Sequence, residues 1–143
     1  MKIRNASAND IPTMSAIRMS VRENALVSLR IGHDEYLEAI TRKGAGWVAE
    51  DASGIVGFSV GLREERNLWA LFVKPGHEGR GAGLALARAA FDWFHDEGIE
   101  VVTFTTEPDT RADRFYTRLG CERGSKVAHG DVAYVWRRKT WQR

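Results

Sequence analysis

The sequence predicts an α/β fold of the α+β kind, with the element order β-α-α-β-β-β-α-β-α-β-β. Apolar runs separated by short polar turns predict a three-stranded meander in the first half. An alanine- and leucine-rich stretch follows the third of these strands, and its large apolar residues recur at helical spacing. A short β-branched run comes next and indicates a parallel strand reached by a crossover. A repeating βαβ fold does not have this order.

The first strand is expected at residues 2–6. It is followed by a capping box with Ser7 at the N-cap and Asp10 in place of the usual Glu, so a helix should begin there. The buried face of this helix is expected to carry Ile11, Met14, Ile17, Met19 and Val21.

A second short helix is expected to begin at residues 33–35, to carry the apolar Tyr36, Leu37 and Ile40, and to end at the glycines of residues 44–46. The strands of the meander are then expected at residues 47–50, 55–62 and 68–73. The last of these is apolar throughout, which predicts a central strand covered on both faces.

The second half of the chain begins with the strongest helix pattern, carried by Leu84, Ala87, Phe91 and Phe94. Gly98 is placed to end this helix. The remaining elements are expected to be a strand at residues 101–106, a helix at 110–119, and strands at 121–128 and 131–138 joined at 129–130.

Composition favours one soluble domain spanning residues 1–143, with 43% hydrophobic and 28% charged residues. The single cysteine, Cys121, excludes an internal disulfide and a four-cysteine zinc site. We expect a cytoplasmic protein without a membrane partner, because the N-terminus has no apolar signal region and no apolar run approaches the ~18 residues of a membrane span. The net charge is only +2, so the basic tail from Arg137 is interpreted as a solvated strand end, and nucleic acid is not expected as a partner.

The stretch from Leu71 to Leu86 contains the most informative pattern. It runs from a strand through alternating glycines, Gly79, Gly81 and Gly83, directly into a helix. Glycines let a ligand approach the backbone, and the N–H groups at a helix start favour phosphate. The Walker pattern is absent, and the dinucleotide pattern G-x-G-x-x-G fails at its last position, so ATP and NAD are not favoured.

Residues 73–86 resemble the coenzyme A signature of the GNAT (Gcn5-related) N-acetyltransferase family, which is [RQ]-x-x-G-x-[GA] after a Val-x-Pro strand end. Residues 112–120 resemble the second motif of that family, A-x-x-F-Y-x-x-x-G. The element order also matches over essentially the whole chain. The resemblance therefore implies a GNAT-like mixed, mostly antiparallel seven-stranded sheet with helices on both faces.

The resemblance also implies acetyl-CoA as co-substrate, with no metal. A bulge in the central strand would separate it from the strand at 101–106, and the pantetheine arm would lie in that gap. The pyrophosphate would bind the amides of residues 79–84, and the acceptor would enter from the opposite side. The positions implied for cofactor binding are Leu71, Phe72, Val73, Glu78, Gly79, Arg80, Gly81, Ala82, Gly83, Leu84, Thr106, Asp109, Ala112 and Tyr116.

The motif departs from the family pattern at three positions. Glu78 stands where the family has Arg or Gln, and we expect its side chain to point away from the pyrophosphate, with Arg80 supplying positive charge. Asp109 replaces a frequent Asn, and Cys121 a usual Phe.

Tyr116 is the implied general acid, which would protonate the leaving thiolate of coenzyme A. The general base is open between Glu64, Glu65, Glu107 and a water molecule, because each carboxylate is better explained as a solvated surface group. Cys121 is interpreted as a small buried residue, and the spacing of the histidines (33, 77, 95 and 129) does not indicate a metal site. Four aromatic residues are interpreted as packing residues of core strands, namely Trp47, Trp69, Phe72 and Phe104, of which Trp69 is also a candidate for an acceptor groove.

The leading hypothesis is direct acetyl transfer from acetyl-CoA to a primary amine of an unidentified small molecule or peptide. The alternatives are a non-catalytic acyl-CoA-binding sensor and a nucleic-acid- or protein-associated regulator that uses the basic tail. The segment from Val21 to Glu35 and the loop near His129 are expected to form the acceptor site. A homodimer is an open expectation.

Overall fold

The computed structural model describes residues 1–21, 31–127 and 130–143. Its strands are β1 (Lys2–Asn5), β2 (Gly44–Asp51), β3 (Gly54–Leu62), β4 (Asn67–Val73), β5 (Val101–Thr106), β6 (Glu122–Lys126) and β7 (Val132–Arg137). Its α-helices are α1 (Ile11–Val21), α2 (His33–Thr41), α3 (Ala82–Asp96) and α4 (Arg111–Arg118). The predicted fold class and element order are confirmed.

The strands form one seven-stranded sheet in the order β1-β2-β3-β4-β5-β7-β6. β4 lies at its centre, as predicted, and pairs with β5 in parallel, whereas the other neighbouring strands are antiparallel. Helices α1 and α2 cover one face, and α3 and α4 cover the other. We refer to these as the α1/α2 face and the α3/α4 face.

The larger part of the core lies on the α3/α4 face. The predicted apolar stripe of α3 is confirmed at Ala87, Phe91 and Phe94, whose side chains are fully buried. Phe91 stacks on Trp136 of β7 with ring centroids 5.5 Å apart. This packing fixes α3, and therefore the turn that precedes it, against the sheet.

The capping box at the start of the first helix is also confirmed. The Ser7 N–H donates to Asp10 Oδ2 at 2.8 Å, and Asp10 also pairs with Arg4 of β1. A 3₁₀ turn at Ala8–Asp10 precedes α1. The prediction was wrong for Met19 and Val21, which are exposed.

The glycines of residues 44–46 were predicted to end the second helix, and this prediction was wrong. Helix α2 ends at Thr41, and Gly44 already pairs with Leu62 as the first residue of β2. A Cβ atom on Gly44 would lie 1.8 Å from the Gly61 carbonyl oxygen. The glycine therefore permits a close approach of two strands.

Candidate active site

The sheet opens between its two parallel strands. The only residue pair between the described parts of β4 and β5 is Asn67 with Thr103, at the start of β4. The Asn67 side-chain amide donates to the Thr103 carbonyl oxygen at 2.8 Å and secures this point. Toward their carboxyl ends the strands separate, so the backbone edges that face each other have no partner strand.

A bulge in β4 accompanies this separation. β3 pairs Val60 with Ala70 but Gly61 with Leu68, so Trp69 is the extra residue. Consequently Trp69 and Ala70 both pack on the α1/α2 face, whereas Leu68 and Leu71 pack on the other. A bulge increases local twist and bends the strand, which accounts for the divergence of β4 from β5.

A cleft of about 1090 Å³ fills the opening. It is lined by groups from both faces of the sheet. They include most of the positions predicted for cofactor binding: Leu71, Phe72, Val73, Glu78, Gly79, Gly81, Ala82, Gly83, Leu84, Thr106, Ala112 and Tyr116. The structure thus brings the two sequence motifs together in one cleft.

The glycine turn forms the end of the cleft at the start of α3. Gly79 and Gly81 have φ angles of +78° and +89°, a region that side chains with a Cβ atom rarely adopt. α3 begins at Ala82, and the first intrahelical bond runs from the Ala85 N–H to the Gly81 carbonyl. The backbone N–H groups of residues 82–84 are therefore free of intrahelical partners, as an anion site at a helix start requires.

Glu78 is turned back toward its own loop. Its carboxylate accepts a hydrogen bond from the Gly76 N–H at 2.8 Å. This bond explains how the turn accommodates an acid where the family has Arg or Gln.

The cation beside the glycine turn is Arg111, which the sequence reasoning missed. A Cβ atom on Gly79 would lie 3.1 Å from Arg111 Nη1, so the guanidinium lies directly against this glycine. Arg111, Arg114 and Arg118 all line the cleft, at spacings of three and four along α4. This spacing on a helix that carries the second motif is the signal that could have identified them.

Two predicted cofactor residues are outside the cleft lining. Arg80 instead borders a small cavity with Asp51 and His77. Hydrogen bonds from Ser53 lower the pKa of Asp51, and the charge of Arg80 adds a smaller effect in the same direction. Asp109 has a φ of +62°, and its N–H donates to Asp113 Oδ2 at 2.9 Å, which places it in the turn that begins α4. Their assignment to cofactor binding stays a prediction.

Tyr116 is almost fully buried, with 3% exposure, and lines the cleft. Its ring packs against Phe104 and Tyr134 at centroid distances of 4.6 Å and 5.3 Å. Burial raises the pKa of its phenol well above the ordinary value, so the group stays protonated. Within the described parts of the chain, no group hydrogen-bonds the Tyr116 hydroxyl. That hydroxyl is therefore available to a ligand.

A charge network around the buried Asp113 holds the helix that carries Tyr116. Asp113 accepts hydrogen bonds from Arg123 of β6 and from the Tyr134 hydroxyl of β7. The Arg123 guanidinium, followed by Tyr134, holds the pKa of Asp113 well below its usual range. Burial, followed by the hydrogen bond to Asp113, raises the pKa of Tyr134 to about 12. α4 is thereby tied to the last two strands.

Of the three carboxylates considered as general base, Glu107 lines the cleft. Glu64 and Glu65 lie exposed in the turn between β3 and β4 and do not line it.

Cys121 lies buried in the core. Burial raises the pKa of the Cys121 thiol to about 12, which fits a packing residue and not a nucleophile.

Among the described residues, no cluster of His, Cys, Asp and Glu could hold a metal ion. His129 lies outside the described residues. None of the helices in the described ranges is long and apolar enough to cross a membrane.

On the α1/α2 face the cleft is bordered by the end of α1 and by two aromatic rings of β4. Ser20, Val21, Trp69 and Phe72 line it there. Tyr36 of α2 packs edge-on against Trp69, with centroids 5.7 Å apart. Trp69 thus lines the cleft, and its role in an acceptor groove stays a prediction. Most of the predicted acceptor segment, residues 22–30, lies outside the described residues.

Comparison with known proteins establishes the class of this fold and cleft. The family model described as "Acetyltransferase (GNAT) family" matches residues 16–121, which is more than half of the chain. The chain therefore belongs to the GNAT acetyltransferase family, as the two sequence motifs predicted.

Individual relatives agree with this class. The chain is similar to a probable N-acetyltransferase family 8 member 5 of Mus musculus, with 33% identity over 94 residues, which are 59% of this chain. That match spans 41% of the length of the mouse protein.

Solved structures share the fold, and two of them illustrate this. The ribosomal-protein-alanine N-acetyltransferase of Brucella melitensis has a TM-score of 0.79 and 20% identity, over 96% of this chain and 99% of that chain. The putative acetyltransferase yncA of Salmonella typhimurium, solved with its cofactor acetyl-CoA, has a TM-score of 0.78 and 20% identity, over 100% of this chain and 96% of that chain.

Proposed function

We propose that this protein transfers an acetyl group from acetyl-CoA directly to a primary amine of a small molecule or peptide. The observation that carries the proposal is the cleft between β4 and β5, which contains both the glycine turn at the start of α3 and the hydroxyl-bearing ring of Tyr116. Membership of the family and the acetyl-CoA bound by the yncA structure support acetyl-CoA as the donor.

The shape and chemistry of the cleft fit acetyl-CoA. Backbone N–H groups at the start of α3 and the arginines of α4 would hold its phosphates. The unpaired edges of β4 and β5 offer backbone hydrogen bonds to the amide groups of the pantetheine arm, as an added strand would. The apolar Leu71 and Val73 would then pack against the arm.

In the proposed reaction the neutral amine attacks the thioester carbonyl carbon. A carbon–nitrogen bond forms, the carbon–sulfur bond breaks, and the sulfur leaves with the bonding electron pair. Tyr116 donates its phenolic proton to this sulfur, and the amine nitrogen loses one proton to Glu107 or to a water molecule. The products are an N-acetylated amine and coenzyme A, and solvent returns a proton to Tyr116.

A thiol-release assay with acetyl-CoA and a panel of primary amines tests the proposal. We expect at least one amine to release coenzyme A and to gain one acetyl group by mass. If every amine fails while coenzyme A binds tightly, the alternative of a non-catalytic acyl-CoA sensor is favoured.

We further propose a cytoplasmic location and a homodimer for the enzyme. Size-exclusion chromatography with light scattering gives the oligomeric state directly, and a monomer at assay concentration would contradict the dimer.

A further inference from the structure

Arg18 of α1 lies against the two aromatic rings that line the cleft on the α1/α2 face. Its guanidinium carbon is 5.7 Å from the centroid of Trp69 and 5.3 Å from that of Phe72. The rings attract the cation through their π faces. The N–H groups of the guanidinium lie in its plane and do not donate hydrogen bonds to the rings. These donors therefore need other partners.

The described residues do not supply an anionic partner for this cation. None of their ion pairs includes Arg18. Arg18 Nη1 is shielded from solvent without a hydrogen-bond partner among these residues. Burial raises the pKa of Tyr36, and Arg18 opposes this rise through its charge and a hydrogen bond with the phenol, so Tyr36 is a neutral partner for part of the guanidinium. Glu35 accepts a hydrogen bond from the Gly32 N–H at the start of α2. A shielded guanidinium donor without a partner is energetically costly, and a ligand anion removes that cost.

Arg18 is not itself one of the residues that line the cleft, but it contacts two rings that do, on the face of the sheet opposite the glycine turn. The glycine turn and the arginines of α4 lie at the start of α3 and on α4, whereas Arg18 and the rings of Trp69 and Phe72 are on the opposite face of the sheet. Ser20 and Val21, two and three residues after Arg18, line the cleft on that face.

We propose that Arg18 binds a carboxylate of the acceptor, so that the acceptor is an amino acid or a related amino carboxylate with an apolar or aromatic part. The planar guanidinium matches a carboxylate with two parallel hydrogen bonds. Trp69 and Phe72 supply the adjoining apolar surface. This inference rests on the proposed function and names the substrate class of the same cleft.

Binding of ligands without an amine tests the carboxylate site independently of catalysis. With coenzyme A present, isothermal titration should show that 3-phenylpropionate binds at least about tenfold more tightly than 3-phenylpropanamide, because only the carboxylate forms charge-assisted hydrogen bonds with the guanidinium. Arg18→Gln should abolish this preference, and Arg18→Lys should retain part of it, since lysine keeps the charge but not the planar donors. The control Arg42→Gln, at an exposed i,i+4 ion pair with Glu38, should leave the preference unchanged.

Turnover then tests the acceptor itself. For each enzyme variant we compare kcat/KM for phenylalanine with that for phenylalaninamide, so that the intrinsic reactivity of each amine cancels between variants. Arg18→Gln should lower this ratio at least about tenfold and leave the KM for acetyl-CoA unchanged.

Equal binding of acid and amide by the wild-type protein, or an unaltered preference in folded Arg18→Gln, would overturn the inference. Carboxylate binding that depends on Arg18, in a protein that acetylates no amine, would support the site and contradict the proposed function. Melting temperatures of both Arg18 variants identify any loss of folding. If Arg18→Gln does not fold, the preference of Arg18→Lys is compared with that of the wild-type protein instead.

Discussion

Tyr116 shows how a side chain can be buried for packing and still reach a ligand. Phe104, Phe115 and Tyr134 surround its ring, while it still borders the cleft. Burial raises the pKa of its phenol, so ionisation of Tyr116 should not limit activity between neutral and mildly alkaline pH. A pH dependence in that range should instead report the acceptor amine or its base.

Replacing Tyr116 with Phe should remove the proton donor with little change in packing. We expect kcat to fall by about 100-fold or more, the usual contribution of a positioned general acid. The Kd for coenzyme A should change less than about threefold, which fluorescence titration can measure. Unchanged turnover would remove Tyr116 from its proposed role.

Two arginines near the glycine turn differ in position and should differ in effect. Arg111→Ala should raise the Kd for coenzyme A about tenfold, because its guanidinium lies against Gly79 beside the free N–H groups of the turn. Arg80→Ala should change the Kd little, since Arg80 borders a different cavity with Asp51. Titrations at two salt concentrations should show a weaker salt dependence for Arg111→Ala only. A larger rise in the Kd for Arg80→Ala than for Arg111→Ala would support the sequence-based assignment of Arg80 to cofactor binding.

At the scale of elements, α4 is held by charge as well as by apolar packing. Asp113 connects it to β6 through Arg123 and to β7 through Tyr134. Because Tyr116 follows Asp113 by one helical turn, this network sets the distance of its hydroxyl from the glycine turn.

The network should make stability depend on pH in the acidic range. Arg123 holds the pKa of Asp113 below its usual range, so the contribution of this carboxylate is complete above the unfolded pKa near 3.9. It is lost as the pH falls through the lower pKa of the folded state. Asp113→Asn should therefore cost about 2 kcal/mol of unfolding free energy at pH 7 and progressively less below pH about 4.

Urea unfolding of the wild-type protein and Asp113→Asn at several pH values measures this difference. Glu64→Gln, at an exposed carboxylate in a turn, is the control and should change stability by less than about 0.5 kcal/mol. A destabilisation by Asp113→Asn that does not shrink in acid would contradict the assigned linkage.

Sequence patterns predicted elements whose signal is local. The apolar spacing of α3, the glycine turn and the capping box at Ser7 each arise from neighbours in the chain. The start of β2 was missed because Gly44 is required by the carbonyl of Gly61 across the sheet, a contact that local spacing does not encode.

The same distinction applies to the site. Tyr116 and the glycine turn were identified from motifs. Arg111 and Arg18 were missed because their roles depend on what lies opposite them in the folded chain, namely Gly79 for one and the rings of β4 for the other.

At the scale of the whole molecule, the sheet consists of two parts joined by the start of β4. β1 to β4 form one part, and β5, β7 and β6 form the other. Past the pairing of Asn67 with Thr103, the packing of both parts on α3 holds them together. A ligand in the opening would therefore connect both parts of the sheet.

Hydrogen exchange should report this connection. On addition of saturating coenzyme A, backbone amides of residues 71–73 and 104–106 that face the opening should exchange more slowly, because the ligand gives them partners. Amides paired between β2 and β3 already have partners, so their local exchange should change little. The unfolding free energy should also rise by about 2.7 kcal/mol at a ligand concentration 100 times the Kd. Protection confined to the glycine turn, without any at β4 and β5, would show that the ligand binds by its phosphates alone and does not enter the opening of the sheet.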